Sequence, residues 1–313
     1  MRRRRQTNIL FPLAGIVLVV LALVWAFFPR PGAYPRQTLV LVGSPMVIFS
    51  WDSRDRALTL VSLPADVAAE GTHGYGTYSL EAFWRLGEID KKDGTVLAES
   101  VSEALGLPID GYIGPKSGLA THEADALTFA KQIFSPRNVV SYVGGQYRTN
   151  ISLRSFVGLT WMLQVTKSER VIPQDFSRQP GAVAEDRILA DGSHQWTLDA
   201  QALDTRLKGV FEDERVRREG VTVAVYNTTD MPSLGERAAR LLTHIGVSVV
   251  SVGNDAPEVS ACTVSGTKQT LTTVSAQVLE SILGCVPIEV TEADRADLIV
   301  WIGKAYAKRF VPN

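Results

Sequence analysis

Pro45–Asp66, PMVIFSWDSRDRALTLVSLPAD, is the stretch that most restricts what this chain can become. Met46–Ser50 and Leu58–Leu63 are runs of β-branched, aromatic and other apolar residues that suit a pleated surface. Trp51–Arg56 between them is largely charged, as an exposed turn is. The reading is a strand, a polar turn and a second strand. Pro64 has no N–H to give to a ladder, so the second strand ends there and Asp66 falls just beyond a strand end. Ligands of open α/β sheets bind at such ends. Ser62-Leu63-Pro64-Ala65-Asp66 is therefore the first candidate for a site.

A second stretch constrains where the chain resides. Ile9–Phe28 is 20 residues without a charge, and Arg2–Arg5 stand before it. At 1.5 Å per residue it covers about 30 Å, the hydrocarbon thickness of a bilayer. The run exceeds the ~7–15 residues of a signal-peptide core. Trp25, Phe27 and Phe28 lie where an aromatic belt belongs. These features favour an uncleaved transmembrane anchor, with cleavage near Gly32-Ala33 as the alternative. By the positive-inside rule the arginines stay cytoplasmic. The expected location is the plasma membrane, single-pass, with a cytoplasmic N-terminus and the bulk extracytoplasmic. The proline-rich 29–36 is a stiff spacer.

The chain of 313 residues has room for two domains with full cores. Its net charge of −1 gives no global electrostatic case for binding nucleic acid. Apolar periodicity predicts a strand at Thr38–Val42, helices at Ser79–Gly87, Thr95–Leu105 and Glu123–Phe134, and a strand at Ile109–Ile113. Asn138–Tyr147 is ambiguous. Further predictions are a serine-capped helix at Ser152–Val165, a strand at Val171–Pro173, a polar loop at Gln179–Asp186 and a helix at Asp199–Glu214. The charged run Glu212–Gly220 reads as a solvated helix end and linker. After it come a strand (Val221–Tyr226), a helix opened by a Ser233/Glu236 capping box and stopped by Gly246, and a strand (Val247–Val252). A helix (Thr272–Leu283) and two strands (Ile288–Val290, Leu298–Ile302) complete a small α/β or α+β domain. Cys262 and Cys285, facing outward, read either as a disulfide or as two buried small side chains.

No G-x-S-x-G elbow and no G-x-x-x-x-G-K-[ST] loop is present, and the four histidines have no metal-ligand spacing. What remains is the order of segments around the hairpin. Leu39–Ser44 (LVLVGS), Met46–Asp66, Gly106–Ile113 (GLPIDGYI) and Thr149–Ser152 (TNIS) resemble the LytR–CpsA–Psr envelope proteins. Val223–Thr229 (VAVYNTT) and Ala296–Gly303 (ADLIVWIG) are similar to the opening and close of the LytR C-terminal domain. The resemblance implies an N-terminal transmembrane helix, then an α-β-α sandwich over 37–215 and a smaller C-terminal α/β (α+β) domain over 221–305. It also implies transfer of a glycan phosphate from a polyprenyl pyrophosphate to the cell wall. In that chemistry arginines hold the pyrophosphate, carboxylates hold a divalent metal and an apolar groove holds the lipid.

This chain departs from that pattern. The family's S-[IL]-P-R-D motif is Ser62-Leu63-Pro64-Ala65-Asp66, with alanine for arginine. The R-S-D-T segment is absent: Gly43-Ser44 runs straight into Pro45-Met46. Leu119–Tyr147 is shorter than in the family and has only Lys131 and Arg137 as lysine or arginine. Asp66 is the candidate catalytic and metal-binding residue, with a turn residue as its ordinary reading. Arg148 and Arg154, flanking Asn150, are candidate ligand-binding residues. The expectation is a non-catalytic, membrane-anchored envelope protein that binds or scaffolds a polyprenyl-linked glycan or the cell wall, without a cofactor. A protein partner would belong to the C-terminal domain. The alternatives are an active Mg²⁺-dependent phosphotransferase and a membrane-tethered regulator.

Overall fold

A computed structural model describes residues 35–122, 125–292 and 294–311. The expected anchor Ile9–Phe28 and its arginines lie outside the described residues. Among the described residues no helix is long and apolar enough to cross a membrane.

The chain is a mixed α/β protein. It opens with a meander of β1 (Arg36–Leu41), β2 (Met46–Asp52) and β3 (Ala57–Leu63). The expected hairpin is in place, in antiparallel register from Met46↔Leu63 to Asp52↔Ala57. Its turn is closed by the buried Asp52, whose Oδ1 accepts from the amides of Arg54 (2.9 Å) and Asp55 (3.2 Å). Short strands β4 (Ala68–Glu70) and β5 (Thr77–Ser79) lead to α1 (Leu80–Ile89) and α2 (Thr95–Leu105). Next come β6 (Gly111–Pro115), α3 (Ala126–Ile133), α4 (Asn138–Val143), β7 (Tyr147–Thr149), α5 (Leu153–Val165) and β8 (Val171–Asp175).

The main sheet has the order β8-β3-β2-β1-β6-β7, with β1, β3, β6 and β8 running the same way. Alternation along its central strands feeds two cores. Val40, Met46, Ile48, Val61 and Leu63 pack against Phe83, Trp84, Leu97 and Val101 of α1 and α2. Leu39, Leu41, Val47, Phe49, Leu58 and Leu60 pack against Phe129, Phe156, Leu159 and Leu163 of α3 and α5. Helices therefore cover both faces.

Two predictions for the following segment fail. Gln179–Asp186 is not simply a loop, because β9 (Ala184–Ile188) pairs with β10 (His194–Leu198) around a turn at Asp191-Gly192. Most of β9 is exposed, so it carries no apolar alternation to read. The helix predicted over Asp199–Glu214 is only α6 (Ala200–Leu207), since Gly209 takes φ +75° and turns the chain. The charged run then forms a helix of its own, α7 (Glu214–Glu219), capped by Asp213.

The second domain follows the predicted order closely: β11 (Thr222–Asn227), α8 (Leu234–His244), β12 (Ser248–Asn254), β13 (Thr263–Gly266), α9 (Val274–Leu283), β14 (Val286–Glu289), β15 (Leu298–Ile302) and α10 (Lys304–Ala307). The sheet order is β12-β11-β15-β13-β14. The capping box is not formed. Ser233 adopts a left-handed conformation (φ +59°) instead of the extended one a capping side chain needs, and its hydroxyl makes no capping bond. Cys262 and Cys285 are joined in a disulfide. They immediately precede β13 and β14, whose parallel pairing begins at Thr263↔Val286.

The domains are locked at the C-terminal end of α2. Gly106 ends that helix in the left-handed conformation (φ +62°), and the Arg240 side chain lies against its Cα. Arg240 donates to the Glu103 carbonyl (2.7 Å), to the Ala104 carbonyl (3.0 Å) and to Asp204 (2.8 Å). It thus supplies the cation and donors that a helix C-terminus lacks. His244 bonds to the Leu105 carbonyl at 3.0 Å. Burial pushes the Glu103 carboxyl above its usual range, against the pull of Arg237, Arg309, the Tyr306 hydroxyl and Arg240. Arg240→Ala is expected to cost about 2–3 kcal/mol by stranding these acceptors and to split one unfolding transition into two in a calorimetric scan. The Cys262→Ser/Cys285→Ser double variant is expected to lose ~3 kcal/mol, read by chemical denaturation of the oxidised protein and the variant.

Candidate functional site

A cleft of about 920 Å³ opens at the C-terminal ends of β3 and β8. These strands are parallel neighbours, and Asp175 lies opposite Ser62 in the register. The Ser62–Asp66 turn is held from three sides. Ser62 carbonyl accepts from the Phe176 amide (3.0 Å), Pro64 carbonyl from Val67 (3.4 Å), and Ala65 carbonyl from Glu81 (2.9 Å). Ser62 and Ala65 are buried, whereas Asp66 is exposed at the rim.

Other elements supply the remaining walls. Glu81 comes from the first turn of α1, Asp125 from the N-cap of α3, and Gln174, Asp175, Ser177 and Arg178 from the end of β8. The Asp125 carboxyl accepts from the Thr128 hydroxyl and from the Thr128 and Leu127 amides, and these bonds hold its pKa below the usual range. Asp175 accepts from the Ser177 amide (3.0 Å) and hydroxyl (2.6 Å). His122 stacks on Phe129 at 3.7 Å and bonds through Nε2 to the Pro45 carbonyl at 2.9 Å, so Nε2 carries a proton.

The charge of this cleft is the reverse of a phosphate site. Asp66, Glu81, Asp125 and Asp175 face it, with Arg178 as the lining arginine, itself 4.0 Å from Asp175. At position 65 a buried methyl group stands where the resemblance calls for a guanidinium. Carboxylates, the Gln174 amide and serine hydroxyls are groups that hydrogen-bond well to the hydroxyls of a sugar. Among the described residues no three His, Cys, Asp or Glu side chains converge to hold a metal ion. Asp66 and the other carboxylates lining the cleft are the described residues that would hold the divalent cation the resemblance implies.

Asp66 is thus placed in the cleft, but Arg148 and Arg154 are not among its walls. Arg148 is engaged elsewhere: its guanidinium lies 3.6 Å over the Trp84 ring, donates to the Trp84 carbonyl (2.8 Å) and pairs with Glu88 (3.2 Å). It fastens β7 to α1. Arg154 is exposed on the first turn of α5. Asn150 between them is also structural, since its side-chain oxygen accepts from the Tyr112 amide at 2.9 Å. The layer between the sheet and α3/α5 is filled by aromatic rings, with Phe134–Phe156 at 5.3 Å and Tyr142–Phe156 at 4.6 Å. Sequence reasoning missed Glu81, Asp125 and Asp175. Asp125 carried a signal, as an N-cap type directly before an apolar run. Asp175 had none, because only the sheet order brings β8 beside β3.

Residues 220–306 match the LytR_C family, the LytR cell envelope-related transcriptional attenuator. The match lies over the second domain and agrees with the LytR C-terminal resemblance read from the sequence. Among solved structures the chain is similar to Bacillus subtilis TagV, with 12% identity over 57% of this chain and 95% of that one, at a TM-score of 0.40. It is similar to the LytR-CPS2A-psr family protein YwtF (TagT) with bound octaprenyl pyrophosphate, with 17% identity over 57% and 89% and a TM-score of 0.37. A third likeness is to the transcriptional regulator EF0465 of Enterococcus faecalis, with 10% identity over 56% and 87% and a TM-score of 0.40. No curated protein matches the chain.

Arg148→Ala is expected to lower stability by about 2 kcal/mol through loss of the desolvated cation–π contact. The same variant should leave binding at the cleft unchanged, as titration calorimetry on the folded variant would show.

Proposed function

We propose that this chain is a membrane-anchored, extracytoplasmic envelope protein that takes part in attaching glycopolymer to the cell wall. It binds or scaffolds the glycopolymer and does not transfer it. One observation carries the reading: the turn that would hold phosphate opens into a cleft of four carboxylates, with Ala65 at its base. Phosphoryl transfer depends on cations and donors aimed at the developing negative charge. A pyrophosphate in this cleft would meet like charge instead. The glycan portion of a lipid-linked precursor finds hydrogen-bonding partners there in Asp66, Gln174, Asp175 and Ser177. The LytR C-terminal domain, docked through Arg240, supports an envelope role and offers a surface for a protein partner.

A second reading, an active Mg²⁺-dependent phosphotransferase, draws on the retention of Asp66 at the cleft mouth. The two separate cleanly. The full chain in nanodiscs, mixed with a polyprenyl-pyrophosphate-linked glycan and Mg²⁺, is expected to bind saturably without releasing the polyprenyl product. Asp66→Ala is expected to weaken binding about 5-fold, the loss of roughly one hydrogen bond. Turnover that disappears in Asp66→Ala would establish the transferase and end the scaffolding reading.

A further inference from the structure

The outer face of α5 is apolar where a solvated helix carries polar side chains. Leu153, Val157, Trp161 and Val165 recur every four residues on the side away from the core, which is served by Phe156, Leu159, Met162 and Leu163. Trp161 is 64% exposed and Val165 62%. The helix sequence, LRSFVGLTWMLQV, contains no acid. α4 packs beside it through Tyr142 on Phe156 and adds the exposed Val140 and Val143. A contiguous apolar face of this kind marks a contact surface.

Position and charge say what covers it. α5 starts just after Asn150, which is bonded to the second residue of β6, and it delivers the chain to Val171, which pairs with Leu58 near the start of β3. It therefore crosses the sheet at the end where β1 begins. The chain enters the domain at that same end, where Pro35 carbonyl accepts from the Ser53 amide of the hairpin turn at 3.1 Å. Pro29–Pro35 separate this point from the apolar run Ile9–Phe28, and seven residues span at most about 25 Å. The same end exposes Arg54, Arg56, Arg154, Lys167 and Arg170, against Asp55, Asp110 and Glu169.

We propose that this face lies on an anionic lipid bilayer, with Trp161 and Val165 among the headgroups and the flanking cations over lipid phosphates. This rests on the reading of the chain as anchored through Ile9–Phe28. It adds which side of the first domain meets the membrane, the outer face of α5.

The test uses the full chain carrying a spin label at Val165→Cys or, separately, at Arg178→Cys beside the cleft, in vesicles of phosphatidylglycerol and phosphatidylcholine. Flotation with the vesicles reads the anchor. Collisional relaxation by oxygen and by a water-soluble nickel chelate reads the seat. The oxygen-over-nickel ratio is expected to be higher at position 165 than at 178, and the difference should shrink in detergent micelles. Equal, water-like ratios at both positions in floating vesicles would overturn the seat while leaving the anchor intact. A label at 165 shielded from both reagents would mean a protein partner covers the face, and would equally overturn it. Failure to float would remove the anchor on which the proposal rests.

Discussion

The antiparallel pairing of Met46–Asp52 with Ala57–Leu63 holds the first domain to both of its cores at once. In this register Met46, Ile48, Val61 and Leu63 point to one helix layer and Val47, Phe49, Leu58 and Leu60 to the other. A slip of one residue would exchange the two sets and strand the polar Ser50, Thr59 and Ser62 on new faces. The turn enforces the register, because Asp52 is buried and spends its oxygens on the turn amides and on Arg36, 3.5 Å away. From this pairing the position of the Ser62–Asp66 turn follows, and with it the cleft.

The cleft shows how little of a site is backbone. The strand end, the proline stop and the clipped turn are arranged as an anion-handling fold would have them. The chemistry is nevertheless set by the side chains. An alanine at position 65 and carboxylates from α1, α3 and β8 give the cleft a mainly acidic lining where an anion site would carry cations. Arg148 illustrates the converse. It is a cation of the kind expected near phosphate, used instead to close the edge of the sheet over Trp84.

The second domain depends on the first through α2 rather than through its own sheet. Arg240 takes the carbonyls at the end of that helix, and the Arg309 carbonyl accepts from the His73 amide at 2.7 Å. A mobile tether would leave these groups to water. Here they are bonded between the two units.

The sequence by itself determined the elements with strong periodicity: the hairpin, α2 with its Gly106 stop, α5 with its serine cap, and β15 to the residue. It also determined the altered SLPAD turn, because a missing arginine is visible without coordinates. It did not determine the exposed β9–β10 hairpin, which has no apolar alternation, or the left-handed conformation of Ser233. It left Cys262 and Cys285 open between bond and burial. The parallel pairing of β13 with β14 resolves that choice by bringing the residues before both strands together. Only the tertiary structure put Glu81, Asp125 and Asp175 around Asp66, since they come from three elements far apart in the chain. Local pattern fixes which residues form a strand; sheet order, a long-range contact, fixes which residues meet at its end.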